Sequence, residues 1–266
     1  MTFQDKIVVI TGGALGIGQV LVREFARAGA KVAYIDLNEE AGARLAQELR
    51  ESGGDVCYHP GDISDPAALE RFAKEVADRY GGVDCLINNA MLTFGGILSG
   101  CSWEDFNKAL QIGVSAPYYL TMLFLPHFRP GAAIVNLSST RAFQSQANTE
   151  SYTAAKGGIT ALTHALSVSL AGKVRVNAVA PGWIDTGATN SADYVPQYTL
   201  GDLKQHPSGR VGEPMDIVRM IMFLCDEANS FINGQTMIVD GGMSKRMIYT
   251  GDEGWLYTPK DDGSAI

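Results

Sequence analysis

Tyr152 and Lys156 stand four positions apart, and Ser139 lies thirteen positions before the tyrosine. Residues four apart on a helix share a face, so the Lys156 ammonium is expected beside the Tyr152 phenol. A cation ~4 Å away, at an effective dielectric of about 20, is worth roughly 4 kcal/mol, enough to draw a phenol from a pKa of about 10 towards neutrality. A tyrosine so tuned exchanges protons at physiological pH, and a serine hydroxyl within reach holds the oxygen that gains or loses the proton. Taken singly, these residues are ordinary: a Tyr/Lys helix face, a serine capping a turn. Their combination carries the chemistry.

A second pattern opens the chain. Thr11-Gly12-Gly13-Ala14-Leu15-Gly16-Ile17-Gly18 follows an apolar run and precedes an amphipathic one, placing a glycine-rich turn between a strand and a helix. Gly12 permits a tight turn, Gly16 lets the backbone approach a diphosphate, and Gly18 allows close helix–sheet packing. The spacing is Gly-x3-Gly-x-Gly rather than Gly-x-Gly-x2-Gly. Eighteen residues past Gly18, Asp36 ends the second apolar run, where a carboxylate bonds ribose hydroxyls and repels a 2′-phosphate. Ala14, Leu15, Leu37 and Asn38 supply no cation to offset that repulsion, which favours NAD over NADP.

These groups need elements to hold them. Short apolar runs at Lys6–Thr11, Lys31–Ile35, Val56–His59, Val83–Asn88, Ala132–Leu137, Val174–Ala178 and Thr236–Val239 read as strands, with helices at Val20–Ala28 and Pro66–Tyr80. The strands are continuous rather than alternating, as in a parallel sheet covered on both faces by helices, so the fold class is α/β. A methionine-rich run, Met215 to Phe223, reads as a buried helix. Thr186 to Gly209, polar and interrupted by Pro and Gly, reads as a variable loop, and so does everything after Gly242.

Composition narrows the classes. A chain of 266 residues with 46% hydrophobic content fills one sizeable α/β domain. A net charge of −8 without Lys/Arg runs argues against nucleic acid or an anionic membrane as partner. No basic leader is seen and no apolar run nears about 18 residues, so a cytoplasmic protein is expected. Cys57, Cys85, Cys101 and Cys225 form no CxxC, and the four histidines form no HxxxH, so neither a metal site nor a disulfide framework is expected.

With these motifs in hand, residues from about Lys6 to Gly242 resemble the short-chain dehydrogenase/reductase family. Further matches are Asp62, Asn88-Asn89-Ala90, Ser138-Ser139, Pro181-Gly182 with Thr186, and Val239-Asp240-Gly241-Gly242. The resemblance implies one Rossmann-like doubly wound domain with strand order 3-2-1-4-5-6-7. It implies catalysis by Ser139, Tyr152 and Lys156, with Lys156 also on the nicotinamide ribose. The implied cofactor contacts are Gly12, Leu15, Gly16, Ile17 and Gly18 in the turn, Asp36, Asp62 with Ile63 at the adenine, and Asn89 with Ala90 in the cleft. Pro181, Gly182, Ile184 and Thr186 would complete them, the last two holding the carboxamide.

The resemblance further implies hydride exchange between NAD(H) and a secondary alcohol or ketone, in a homotetramer. Enoyl reduction is disfavoured, because relatives doing it space the Tyr/Lys pair more widely. Two departures stand out: Gly113 occupies the position of a catalytic asparagine whose backbone anchors a relay water, and Met91 replaces the glycine after Asn-Asn-Ala. Arg141 is unusual beside the serine, either recognising an anionic or polyhydroxylated substrate or forming a structural salt bridge. Gly113 keeps alive another class, a redox-silent NAD-binding regulatory or interaction protein. The expected division is a domain over 1–242, with substrate loop 186–209. The tail at 243–266, carrying Trp255, Leu256 and Tyr257, is expected at a subunit interface.

Overall fold

The computed structural model describes residues 2–252 except 192, 248 and 250. Seven parallel strands form one sheet in the order β3-β2-β1-β4-β5-β6-β7. They are β1 (Ile7–Thr11), β2 (Lys31–Asp36), β3 (Val56–Pro60), β4 (Val83–Asn88), β5 (Phe128–Leu137), β6 (Arg175–Pro181) and β7 (Thr236–Val239). Every residue of β1 and β4 is buried, as continuous apolar strands between two helical layers must be. Alternate side chains serve opposite cores: Val8 and Ile10 meet Leu21 and Phe25 on one face, while Val9 joins Leu69, Phe72 and Phe124 on the other.

The helices are α1 (Gly16–Arg27), α2 (Glu39–Glu51), α3 (Pro66–Tyr80), α4 (Trp103–Leu110), α5 (Ala116–Phe124), α6 (Glu150–Ser169), α7 (Gly187–Asn190), α8 (Leu200–Lys204) and α9 (Pro214–Cys225). The methionine-rich run is α9, with Ile217, Val218, Ile221 and Leu224 buried. Strand order reverses between β1 and β4, which opens a crevice beyond their carboxyl ends.

Three differences from the sequence-based expectation matter. α1 begins at Gly16 rather than Val20, so the turn's last glycines form its first coil. β5 begins at Phe128 rather than Ala132, because Phe128 pairs with Val83 across a bulge. Between α4 and α5 the chain takes one π-turn, Gln111–Ser115, in which the Ala116 N–H donates to the Gln111 carbonyl five residues back. Pro117 lacks the N–H that would bond the Gly113 carbonyl in an α-helix, which is the local cause of the bulge.

Thr186 to Gly209 holds α7 and α8, and neither has a buried residue. Beyond β7, Met247 and Tyr249 are exposed. Most of the tail, including Trp255, Leu256 and Tyr257, lies outside the described residues.

Candidate active site

The crevice beyond the strands is a cleft of about 660 Å³. At one end sits the glycine turn. A Cβ on Gly12 would fall 2.9 Å from the Ala90 Cα, and one on Gly18 would fall 1.8 Å from the Gly12 carbonyl oxygen. Neither position accepts another residue without movement of backbone. The Asn89 amide donates to the Thr11 and Gly12 carbonyls at 3.0 and 2.8 Å, and the Asn89 and Ala90 N–H groups donate to Thr11 Oγ1 at 3.0 and 3.1 Å. Asn89 therefore clamps the turn as well as lining the cleft.

Asp36 accepts from the Ala14 N–H through Oδ2 and from the Asn38 N–H through Oδ1, each at 2.8 Å. Those bonds aim the carboxylate while leaving lone pairs for further donors. Asp62 accepts from the Ser64 N–H and hydroxyl at 2.9 and 2.8 Å and faces the Lys108 ammonium at 3.3 Å. Burial pushes its pKa up, but these donors and the Lys108 charge outweigh it and hold the carboxyl below its ordinary value.

At the other end, Ser139 caps a short 3₁₀ turn (Thr140–Ala142) after β5, while Tyr152 and Lys156 project from α6. Of the two neighbouring serines, Ser138 is spent on structure: its hydroxyl meets Thr160 Oγ1 at 2.6 Å and the Lys156 carbonyl at 3.2 Å. Ser139 Oγ accepts the Arg141 N–H at 3.2 Å, and its proton remains available to donate. Lys156 is 4% exposed, and its Nζ donates to the Leu137 carbonyl at 2.6 Å. Burial pulls its pKa down to about 8.

The expected fall of the Tyr152 pKa does not occur. Burial raises it above its ordinary value, and Ser139 and the Arg141 charge pull it only partly back. The ammonium lies 5.5 Å from the centre of the phenol ring and is drawn onto Leu137, so desolvation outweighs its attraction.

The two sequence departures meet in space. A Cβ on Gly113 would lie 2.8 Å from the Ala155 Cβ and 3.1 Å from Met91 Sδ. Residue 113 faces α6 directly, and the thioether of residue 91 lies against the space an asparagine side chain would enter. Glycine at 113 and methionine at 91 are matched.

Gly12, Leu15, Gly16, Ile17, Asp36, Asp62, Ile63, Asn89, Ala90 and Met91 all line this one cleft, as do Ser139, Tyr152, Lys156, Pro181, Gly182, Ile184 and Thr186. Gly18 lies beneath the lining, in keeping with its packing role. Arg141 stands outside it, its guanidinium carbon 5.7 Å from the Tyr152 ring centre. Sequence reading missed Ile35, Leu37, Gly61, Leu92, Ile112 and Leu137 in the walls. Ile35 and Leu137 were within reach of the rule that ligands sit beyond carboxyl strand ends. It also missed the neighbouring Thr189, whose hydroxyl accepts the Gly16 N–H at 2.8 Å; nothing local signals a contact 173 residues apart. Among the described residues no group of three or more His, Cys, Asp or Glu could hold a metal, and no helix is long and apolar enough to cross a membrane.

A family profile described as enoyl-(acyl carrier protein) reductase matches residues 12–244. An apo SCOR enzyme from Clostridium thermocellum superposes with a TM-score of 0.87 at 42% identity, covering 96% of this chain and 100% of that one. An uncharacterized oxidoreductase of Thermotoga maritima is 39% identical over 252 residues, 92% of this chain and 98% of its own. The 3-oxoacyl-[acyl-carrier-protein] reductase FabG of Chlamydia pneumoniae is 33% identical over 92% of this chain and 99% of its own.

Proposed function

The chain belongs to the short-chain dehydrogenase/reductase family of oxidoreductases acting on CH–OH groups, and from that premise we propose that it interconverts a secondary alcohol and its ketone with NAD(H). The observation that carries this reading is the convergence of Ser139, Tyr152 and a fully buried Lys156 at one end of a cleft whose other end is the glycine turn and Asp36. The residues fit a dinucleotide. Gly16 holds φ +60° where α1 opens onto the cleft, a left-handed conformation that glycine adopts without strain, and among the described residues Asp36 keeps acceptor capacity for ribose hydroxyls without a cation paired to it. The cofactor, when bound, supplies or accepts the hydride.

The chain's own groups handle the proton. Ser139 donates to the substrate oxygen and orients it, and Tyr152 passes the proton to or from that oxygen. Lys156, mostly charged at neutral pH, offers its two remaining N–H donors to ribose hydroxyls. With its pKa raised, Tyr152 is protonated at neutral pH and works there as a donor to a ketone oxygen. Alcohol oxidation needs the phenolate and therefore climbs with alkaline pH. The Tyr152–Lys156 spacing supports carbonyl rather than enoyl chemistry, notwithstanding the description of the matching profile.

The same reading includes a cytoplasmic homotetramer, a catalytic domain over residues 1–242 and a tail at a subunit interface. The second reading, a redox-silent NAD-binding regulatory protein, draws on Gly113 alone. NADH fluorescence together with turnover on a carbonyl panel, with NAD(H) and NADP(H), separates them. Binding without turnover on every carbonyl overturns the enzyme reading, and equal or better use of NADP(H) overturns the cofactor assignment.

A further inference from the structure

Among the described residues, the half-buried Arg141 guanidinium meets no carboxylate. Arg23, Arg79, Arg129 and Arg210 each meet a carboxylate, on Glu48, Asp55, Asp84 and Asp216. Arg175 binds main-chain carbonyls that close the lower edge of the sheet. Arg141 does neither. Among the described residues its side-chain hydrogen bond goes to Gln146 Oε1, a neutral acceptor that aims the planar fork without discharging it. Among the described residues, the structural salt bridge that the sequence left open is not made.

Glu150 and Asp185 are held by neutral donors. Glu150 accepts the Ile97 N–H at 3.3 Å, and Asp185 accepts the Gly187 N–H and the Tyr194 hydroxyl, each at 2.8 Å. Asp36 and Asp62 lie at the far end of the cleft. The Lys156 ammonium stands at the opposite end, and the Arg141 guanidinium lies just outside the lining there, against the Tyr152 ring. Through its own N–H, Arg141 is also tied to Ser139 Oγ at 3.2 Å, so its main chain is fixed relative to the group that holds the substrate oxygen.

We propose that Arg141, set against the Tyr152 ring, is a specificity-determining residue that binds a carboxylate of the substrate, making the preferred substrate a small hydroxy acid or its oxo acid. This rests on the assignment of Tyr152 as the proton-transfer residue. One planar fork matches the single charge and two oxygens of a carboxylate. Ordering such an acid across Arg141 and Ser139 presents its hydroxyl-bearing carbon to Tyr152, whereas a neutral alcohol of the same size lacks the second anchor.

The test compares 2-hydroxybutyrate and 3-hydroxybutyrate with their methyl esters. The wild type is expected to favour at least one acid over its ester by about tenfold or more in kcat/KM, the scale of a charge-assisted hydrogen bond. Arg141→Gln should collapse that ratio, chiefly through the KM of the acid, and Arg141→Lys should restore part of it. Using the ratio cancels any common effect of the substitution on the Tyr152 phenol. An acid-to-ester ratio at or below one for both pairs, or a ratio unchanged in Arg141→Gln, overturns the proposal.

A binding measurement separates this failure from that of the redox reading. Malonate titrated calorimetrically into the protein–NADH complex should bind wild type and Tyr152→Phe but not Arg141→Gln. If nothing is turned over, the redox reading falls, while malonate binding lost only in Arg141→Gln still upholds the anion site. No malonate binding to wild type overturns it, as does tighter binding of inorganic phosphate than of malonate.

Discussion

At the glycine-turn end of the cleft, glycines and main chain form the wall and short bonds from Asp36 and Asn89 hold it, whereas around the Tyr152 end the buried Ser139 and Lys156 are flanked by side chains from exposed segments. The Asp36 bond to Ala14 and the Asn89 clamp on Thr11 and Gly12 are short contacts among strand ends. Arg141 on Gln146, Glu150 on Ile97 and Tyr194 on Asp185 join residues of the surface. A site fixed by excluded volume tolerates almost no substitution and binds one kind of ligand. A site fixed by exchangeable side chains changes its ligand at small cost to the fold.

That contrast can be broken at several points. The largest expected effect lies where the two ends cooperate. Tyr152→Phe should lose about 10²–10⁴-fold in kcat while NADH binding, read by fluorescence, stays near wild type, because the phenol proton serves the chemistry and not the dinucleotide. Gly18→Ala tests the rigidity of the turn. With its methyl aimed 1.8 Å from a carbonyl oxygen, the variant should lose about 3 kcal/mol in denaturant unfolding and most of its NADH affinity. An unaffected variant would show that the turn is softer than its contacts imply.

Gly113 and Met91 test the junction between the ends. Gly113→Asn alone should destabilise by about 2 kcal/mol and depress turnover, and adding Met91→Gly should recover part of both, a non-additivity expected of residues in contact. Full activity of Gly113→Asn would separate the two positions. The smallest effect is on cofactor choice: the wild type should prefer NAD(H) by about tenfold or more in kcat/KM, roughly 1.4 kcal/mol, and Asp36→Ala should erode that preference.

Legibility in the sequence followed how local the determinants were. α3 was read with its true bounds because Asp65 caps it, Pro66 opens it and Gly81, at φ +71°, closes it. β4 was equally plain. The first residues of β5 were missed because Phe128 to Gly131 join the strand only through pairing with Val83, and the π-turn was missed because a proline in the first turn of a helix, like Pro117 in α5, reads equally as an ordinary helix start. The spacing of Tyr152 and Lys156 announced the pair but not the Leu137 carbonyl that draws the ammonium aside, so the direction of the phenol's pKa was misjudged. For Arg141 the sequence posed the alternatives, and only the fold shows its side chain on Gln146 and, among the described residues, on no carboxylate.

The burial of Lys156 has a consequence for folding itself. Its pKa of about 8 lies below the ordinary 10.5, so between those values the unfolded chain binds more protons than the native one, and stability rises with pH across that window. Below about pH 8 the native protein bears the full cost of an enclosed ammonium, on the order of 3 kcal/mol. Lys156→Met should therefore raise the Tm at pH 7, and the gain over wild type should fade towards pH 10.5. A cofactor whose hydroxyls meet that ammonium relieves the same cost, so thermal stabilisation by NADH should be larger for wild type than for the methionine variant. The side chain on which the proposed reaction depends is thus one whose charge the empty fold holds at a cost.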